Sequence, residues 1–206
     1  MKLFCVRHGE TLHNFEGRIQ GQTDSQLSPL GIRQCQATAG ALADLKIDAI
    51  VASPLDRARA SAQHLADRLG LSVALDDRLM EIHAGIFQGL AWNEIDDRFP
   101  EESRRWRSQD PDYRIPGGES RRDLMARTGE AFCAIRERGY RQAIVVAHGG
   151  SLSAAFKSLL QIPAERNPFS LANCSISTAH WEKDFRLISL NETGHLRDVL
   201  SGDSEM

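Results

Sequence analysis

The sequence predicts an α/β fold in which helices cover both faces of a mainly parallel sheet, giving a three-layer αβα sandwich. Short apolar runs typical of buried strands alternate with stretches in which apolar residues recur at helical spacing. This alternation favours a parallel sheet. The length of 206 residues and the 41% content of hydrophobic residues fit a single globular domain over residues 1–206.

The first half of the chain contains three predicted strands and two predicted helices. The strands are expected over residues 2–6, 47–52 and 71–75, and the helices over residues 28–45 and 53–70. Each helix begins with a serine followed by a proline, Ser28-Pro29 and Ser53-Pro54, which is the pattern of an N-cap with proline at the first helical position. Gly70 ends the second helix, because glycine readily adopts the left-handed conformation found after helices.

The second half contains two more predicted helices and three more strands. The helices are expected over residues 120–139 and 151–160, and the strands over residues 143–147, 175–181 and 185–190. Ser120 and Asp123 have the spacing of a capping box, which marks the start of the first of these helices. The last two strands follow each other closely, so we expect them to form a hairpin that closes the sheet.

The segment from Ala84 to Gly118 departs from this alternation. It holds a weakly helical stretch over residues 92–99, together with Trp106, three prolines and five arginines. Long irregular segments in compact domains are often functional, so we expect an irregular cap insertion over a ligand site. A solvated surface excursion is the alternative interpretation.

Charge and cysteine pattern narrow the possible functions. Lys plus Arg total 25 against 28 for Asp plus Glu, and the net charge of −3 disfavours a nucleic-acid partner. We find neither a run near the ~18 apolar residues of a membrane span nor a signal-peptide pattern, so we expect no membrane partner and a cytoplasmic location. The four cysteines form no CxxC pair, which indicates reduced thiols.

Two histidines directly follow predicted strands. Arg7 and His8 come after the first strand, and His148 and Gly149 come after the strand over residues 143–147. Ligands of parallel α/β sheets bind outside the carboxyl ends of the strands, so we expect both histidines at one site. The helix that begins after His148 adds backbone N–H donors, which favour an anion.

A metal site built from the two histidines and Glu81 is the competing interpretation. The sequence contains no closely spaced ligand pair such as HExxH. The neighbouring arginines would also repel a cation. We therefore predict that the site holds no metal and needs no cofactor.

Six motifs in order along the chain resemble the histidine phosphatase superfamily, the phosphoglycerate mutase-like proteins. They are Arg7-His8-Gly9-Glu10-Thr11, Gly17-Arg18-Ile19-Gln20-Gly21, Leu27-Ser28-Pro29-Leu30-Gly31, Ser53-Pro54-Leu55-Asp56-Arg57-Ala58, Leu79-Met80-Glu81-Ile82-His83-Ala84-Gly85 and Val146-Ala147-His148-Gly149-Gly150. The motifs Gly117-Gly118-Glu119-Ser120 and Asn173-Cys174-Ser175-Ile176-Ser177 add weaker support. Short bacterial broad-specificity phosphatases and mutase homologues are the members that the chain resembles most.

This resemblance implies a role for each matching residue. His8 would be the nucleophile that forms a phosphohistidine, and Glu81 would donate a proton to the leaving oxygen from a partly desolvated position. The phosphoryl oxygens would be held by Arg7, Arg57 and His148. Further substrate-binding positions would be Asn14, Gln20, Gly21 and Gly149. Arginine suits such a site because its planar fork of donors matches phosphoryl oxygens, which carry the negative charge during transfer.

Three functions remain open at this point. The favoured one is a metal-independent phosphomonoester hydrolase acting on a small phosphorylated metabolite. The second is a phosphoglycerate mutase that uses the same intermediate. The superfamily's mutases that depend on 2,3-bisphosphoglycerate are typically longer than this chain, and their extra segments help to exclude water from the site. The third is a binding module without activity, which the intact set of five core residues disfavours.

Overall fold

The computed structural model describes residues 1–201 and contains a six-stranded sheet in the order β3-β2-β4-β1-β5-β6. The strands are β1 (Lys2–Arg7), β2 (Ala49–Ala52), β3 (Val73–Leu75), β4 (Gln142–Ala147), β5 (Ile176–Trp181) and β6 (Phe185–Glu192). The pairings β3–β2, β2–β4 and β4–β1 are parallel, whereas β5 runs antiparallel to β1 and forms a hairpin with β6. The predicted mainly parallel sheet and closing hairpin are confirmed.

Helices cover both faces of this sheet, which confirms the three-layer sandwich. The helices are α1 (Leu12–Phe15), α2 (Pro29–Leu42), α3 (Asp56–Leu69), α4 (Trp92–Arg98), α5 (Pro100–Arg107), α6 (Arg121–Glu137), α7 (Gly149–Leu159) and α8 (Arg197–Ser201). Side chains of successive strand residues point to opposite faces. Accordingly Phe4 and Ile144 pack with α2 and α3, whereas Leu3 and Val145 pack with α6 and α7. No helix within residues 1–201 has the length and apolar character needed to cross a membrane.

Two helices begin at positions other than those expected. The prediction that Ser53 caps the second long helix is wrong, because α3 begins at Asp56 and its N-cap, Leu55, makes no side-chain hydrogen bond. The Ser53 hydroxyl lies 2.8 Å from a ring nitrogen of His148, and it also accepts from the backbone N–H of Leu55 at 3.3 Å. Helix α7 begins at Gly149, two residues before the predicted start at Ser151.

The segment over residues 84–118 has a small core of its own. Phe87, Ile95, Tyr113 and Ile115 are buried together there. The weak helix predicted over residues 92–99 corresponds to α4, and a further helix, α5, follows directly. Helix α5, which begins at Pro100, was not predicted from the sequence; proline is well tolerated at the first helical position.

Candidate active site

The site lies where the neighbouring strands β1 and β4 end. The two strands pair in parallel with Arg7 opposite Ala147, so the next residues, His8 and His148, leave the sheet at the same level. The backbone N–H of His8 continues the ladder by donating to Ala147 at 2.9 Å. The two imidazole rings lie 5.1 Å apart, centroid to centroid. Strand register therefore brings together two histidines that are 140 positions apart in the sequence.

The His8 ring is held in one tautomer. Its Nδ1 lies 2.7 Å from the carbonyl oxygen of Gly9, and a carbonyl can only accept, so Nδ1 carries the proton. The lone pair is then on Nε2. Burial lowers the pKa of His8 well below its usual value of 6.5, and the charges of Arg7 and Arg57 lower it further. The ring is therefore a neutral imidazole whose Nε2 can act as a nucleophile.

Arg57 is a buried guanidinium in the first turn of α3. Its Nη2 donates to Gly21 at 2.6 Å, and its Nη1 donates to the Thr23 carbonyl oxygen at 2.8 Å. Its Nε donates to Nδ1 of His148 at 3.2 Å. These contacts occupy three of the five N–H donors of arginine and leave one on each terminal nitrogen for a ligand. The start of the helix adds a positive dipole end at the same place.

His148 lies between Arg57 and Ser53, with both ring nitrogens engaged. Because Arg57 can only donate to Nδ1, the proton of the neutral ring is on Nε2 and points to the Ser53 hydroxyl oxygen at 2.8 Å. Burial, followed by the charge of Arg57, lowers the pKa of His148 well below 6.5. This arrangement fixes Arg57. To donate to a phosphoryl oxygen, the Nε2–H group of His148 would have to break its hydrogen bond with the Ser53 hydroxyl.

Arg7 is the last residue of β1 and has donors to spare. Its Nη1 donates to the carbonyl oxygen of Leu171 at 2.6 Å. Its Nε is buried and has no hydrogen-bond partner within residues 1–201. Buried donors are almost always paired in folded proteins, so an unpaired guanidinium nitrogen beside His8 is suited to an anionic ligand. Gly149, at the start of α7, lies next to this guanidinium.

Glu81 is half-buried, and its carboxylate is held by two backbone donors. Gly150 donates to Oε2 at 2.9 Å, and Ile82 donates to Oε1 at 2.8 Å. A carboxylate offers about four lone pairs, so two remain for a ligand or water. Burial lowers the pKa of Arg7 and of Arg57, and in both cases the charge of Glu81 opposes that shift. The carboxylate thus lies close enough to interact with both guanidinium groups.

The remaining predicted positions surround these five residues. The Asn14 side-chain oxygen accepts from the Thr11 backbone and from Asn173, so its N–H donors are what it can offer a ligand. Gln20 is buried, and its side-chain oxygen has no partner among the described residues. The main chain of Gly21 contributes the carbonyl oxygen that holds Arg57.

Sequence reasoning missed three residues of the site. The serine–proline pattern predicts a helix start at Ser53, and Gly150 carries no signal beyond its place in the motif that follows His148. Asn173 donates to the carbonyl oxygen of His8 at 3.0 Å and to Asn14 at 3.2 Å, which links the nucleophile to α1. Its motif was the one available signal. No group of three or more His, Cys, Asp or Glu side chains in the described part of the chain is arranged to hold a metal ion.

Comparison with known proteins places this geometry in a family context. The profile of the histidine phosphatase superfamily (branch 1) matches residues 3–193. A protein of Yersinia pestis named probable phosphoglycerate mutase GpmB is 34% identical over 208 residues, covering 95% of each chain. The solved structure of mycobacterial glucosyl-3-phosphoglycerate phosphatase in complex with VO3 is 35% identical, with a TM-score of 0.84 over 93% of this chain and 99% of that one. A putative alpha-ribazole-5'-P phosphatase of Escherichia coli is 26% identical, with a TM-score of 0.87 over 93% and 96% of the two chains.

Proposed function

The chain belongs to the histidine phosphatase superfamily, and on that premise we propose that it is a metal-independent phosphomonoester hydrolase that works through a phosphohistidine on His8. The observation that carries this proposal is the state of the His8 ring. It is buried and neutral, its Nδ1 proton is bound to Gly9, and its Nε2 lone pair lies among the charges of Arg7 and Arg57. These features combine a nucleophile with the donors that a phosphoryl group needs.

In the first half of the reaction, the phosphoryl group moves from substrate to enzyme. Arg7 and Arg57 bind its oxygens, and His8 Nε2 attacks phosphorus while the bond to the ester oxygen breaks. An alkoxide is a poor leaving group, so the ester oxygen needs a proton as it departs, and Glu81 in its protonated form supplies it. The products of this half are the free alcohol, phospho-His8 and the Glu81 carboxylate.

In the second half, water replaces the alcohol. The Glu81 carboxylate, which retains lone pairs beyond its bonds to Gly150 and Ile82, takes a proton from water as the water oxygen attacks phospho-His8. The bond from phosphorus to Nε2 breaks and inorganic phosphate forms. His8 and protonated Glu81 are regenerated for the next turnover.

A phosphoglycerate mutase using the same intermediate is the second candidate. The length of the chain does not separate the two reactions, because the Yersinia pestis relative named as a probable mutase matches over 95% of both chains. Exposure favours hydrolysis: Arg7 and Glu81 are only partly buried, so water can reach the carboxylate that would activate it. A transferase has to keep water away from its phosphoenzyme.

We propose that residues 84–118 form a cap that contacts the part of the substrate beyond its phosphate. Contacts with the segment carrying Asn14 and Gln20 support this. Arg18, from that segment, donates to Glu94 at 2.8 Å and to the carbonyl oxygen of Gly89 at 2.9 Å. The substrate we propose is a small phosphorylated metabolite in the cytoplasm. The net charge of −3 argues against a nucleic-acid partner.

Trapping the intermediate tests the proposal. Rapid quenching with a phosphate-labelled substrate should give protein-bound label that is stable to base and labile to acid. His8→Ala should lose both the label and nearly all activity, whereas the control His180→Ala, at an exposed position of β5, should keep both. Label that persists in His8→Ala would refute the assignment.

A second assay distinguishes hydrolysis from the phosphoglycerate mutase reaction. With 3-phosphoglycerate and catalytic 2,3-bisphosphoglycerate, we expect inorganic phosphate to form faster than 2-phosphoglycerate. Faster formation of 2-phosphoglycerate would make the mutase reaction the main activity.

A further inference from the structure

We propose that the ion pair between Arg127 and Glu119 is the device that positions Glu81 for proton transfer. This inference rests on the proposed role of Glu81. Neither partner belongs to the set of five core residues, and both lie outside strands β1 and β4, which the two histidines directly follow. Glu119 comes from the Gly-Gly-Glu-Ser motif, and Arg127 lies in α6.

Arg127 holds the backbone that leads into Glu81. Its Nη1 donates to the carbonyl oxygens of Arg78 and Met80 at 2.8 and 2.7 Å, and its Nη2 donates to the carbonyl oxygen of Glu81 at 2.9 Å. The same guanidinium donates through Nε and Nη2 to the two carboxylate oxygens of Glu119 at 3.0 and 2.5 Å. All five N–H donors of the arginine are thereby used.

Glu119 holds the backbone that leads away from Glu81. One of its carboxylate oxygens accepts from the backbone N–H of His83 at 2.8 Å. Gly118 allows this approach, because a Cβ at that position would lie 2.2 Å from the carbonyl oxygen of His83. The pair therefore fixes the backbone on both sides of Glu81, while Ile82 and Gly150 hold its carboxylate.

The ion pair adjoins the capped start of α6 and is largely shielded from water. Glu119 directly precedes Ser120, the N-cap of α6, which forms a complete capping box with Asp123. The side chains of Arg127 and Glu119 are only 20% and 13% exposed. Because the guanidinium is a planar fork with five donors and a lysine ammonium has three in another geometry, lysine cannot reproduce this set of contacts.

The effect on catalysis follows from the position of Glu81 relative to the leaving oxygen. A carboxyl group displaced by about 1 Å can lose on the order of 10²-fold in rate. That loss falls on substrates whose leaving group needs a proton. An alkyl phosphate leaves as a strongly basic alkoxide, whereas p-nitrophenyl phosphate leaves as a stabilised phenolate. Disrupting the ion pair should therefore change the ratio of kcat/KM values for the two substrates.

The experiment compares kcat/KM for an alkyl phosphate and for p-nitrophenyl phosphate in Arg127→Lys, Glu119→Gln and Glu81→Gln. We expect the alkyl substrate to lose on the order of 10- to 10²-fold in the first two variants, with much smaller losses for p-nitrophenyl phosphate. Arg122→Lys is the matched control, because Arg122 lies on the same helix and pairs with Asp112 at the surface. It should leave both values unchanged.

The outcomes distinguish the inference from the proposed function. Equal losses for both substrates in Arg127→Lys and Glu119→Gln, with discrimination retained in Glu81→Gln, would show that the pair only supports folding and would overturn the inference. Equal losses in Glu81→Gln would overturn the role of Glu81 as the acid, and the inference with it. Glu119→Gln keeps an amide oxygen for His83, so it still tests the inference if Arg127→Lys folds poorly.

Discussion

A methyl group added at Gly150 should impair proton transfer by Glu81 while leaving phosphate binding intact. A Cβ at Gly150 would lie 2.3 Å from Oε1 of Glu81, 3.0 Å from its Cδ and 3.1 Å from Oε2. Ordinary contact begins near 3.4 Å, so the carboxylate of Glu81 would have to retreat by about 1 Å. Its hydrogen bond from the Gly150 backbone, now 2.9 Å, would lengthen with it.

This displacement should affect activity rather than folding. The clashing atoms are the mobile end of the Glu81 side chain, and Gly150 lies in the first turn of α7 without a positive φ, so alanine fits the backbone. We expect Gly150→Ala to lose on the order of 10²-fold in kcat/KM for an alkyl phosphate. The loss for p-nitrophenyl phosphate should be much smaller, because its leaving group hardly needs a proton.

The assay is kcat/KM for the two substrates, together with urea unfolding. The control is Gly40→Ala, an exposed position in α2 where an added Cβ meets no atom within 4 Å, and it should leave both kcat/KM values unchanged. Equal losses for both substrates in Gly150→Ala would mean that the methyl group disturbs phosphate binding. Full activity on the alkyl substrate would refute the placement of the Glu81 carboxylate against this turn.

Three further predictions concern the histidines and Arg57. The pKa values of His8 and His148 are lowered in the folded state, so the unfolded chain binds more protons than the folded chain below pH 6.5. The free energy of unfolding should therefore fall as the pH decreases below 6.5, by up to about 1.4 kcal/mol per pH unit for each histidine. Urea unfolding at several pH values measures this. An unchanged free energy would refute their burial in the neutral form. Arg57→Lys should reduce kcat/KM on the order of 10²–10³-fold for alkyl and p-nitrophenyl substrates alike, because both share the phosphate, whereas Arg59→Lys at the surface should not; a loss confined to one substrate would contradict phosphate binding. Ser53→Ala leaves the Nε2 proton of His148 buried without its partner, which should lower the free energy of unfolding by about 1–3 kcal/mol in a denaturant titration, and no change would contradict the assigned tautomer.

The strands, the long helices and the kinds of side chain expected at the candidate site, histidine, arginine and glutamate, were predictable from the sequence. Apolar periodicity marks these elements because burial of one face or stripe imposes it locally. The signals at Ser28 and Ser120 were also reliable, since each side chain caps its own helix a few residues away. The positions of His8 and His148 after strands were enough to expect them at one end of the sheet.

Only the tertiary structure decided how these groups are held. Ser53 has the local pattern of a helix cap, but α3 begins only at Asp56, and the Ser53 hydroxyl forms a hydrogen bond with the ring of His148, 95 positions away. Likewise, the residues that hold the Glu81 carboxylate and its backbone, Gly150 and Arg127, lie 69 and 46 positions away. Such contacts depend on strand register and on the docking of helices, which join distant segments. Local sequence patterns report the period of burial and the chemistry that is present, whereas the tautomers and orientations of the site depend on hydrogen bonds that form only once the layers have packed.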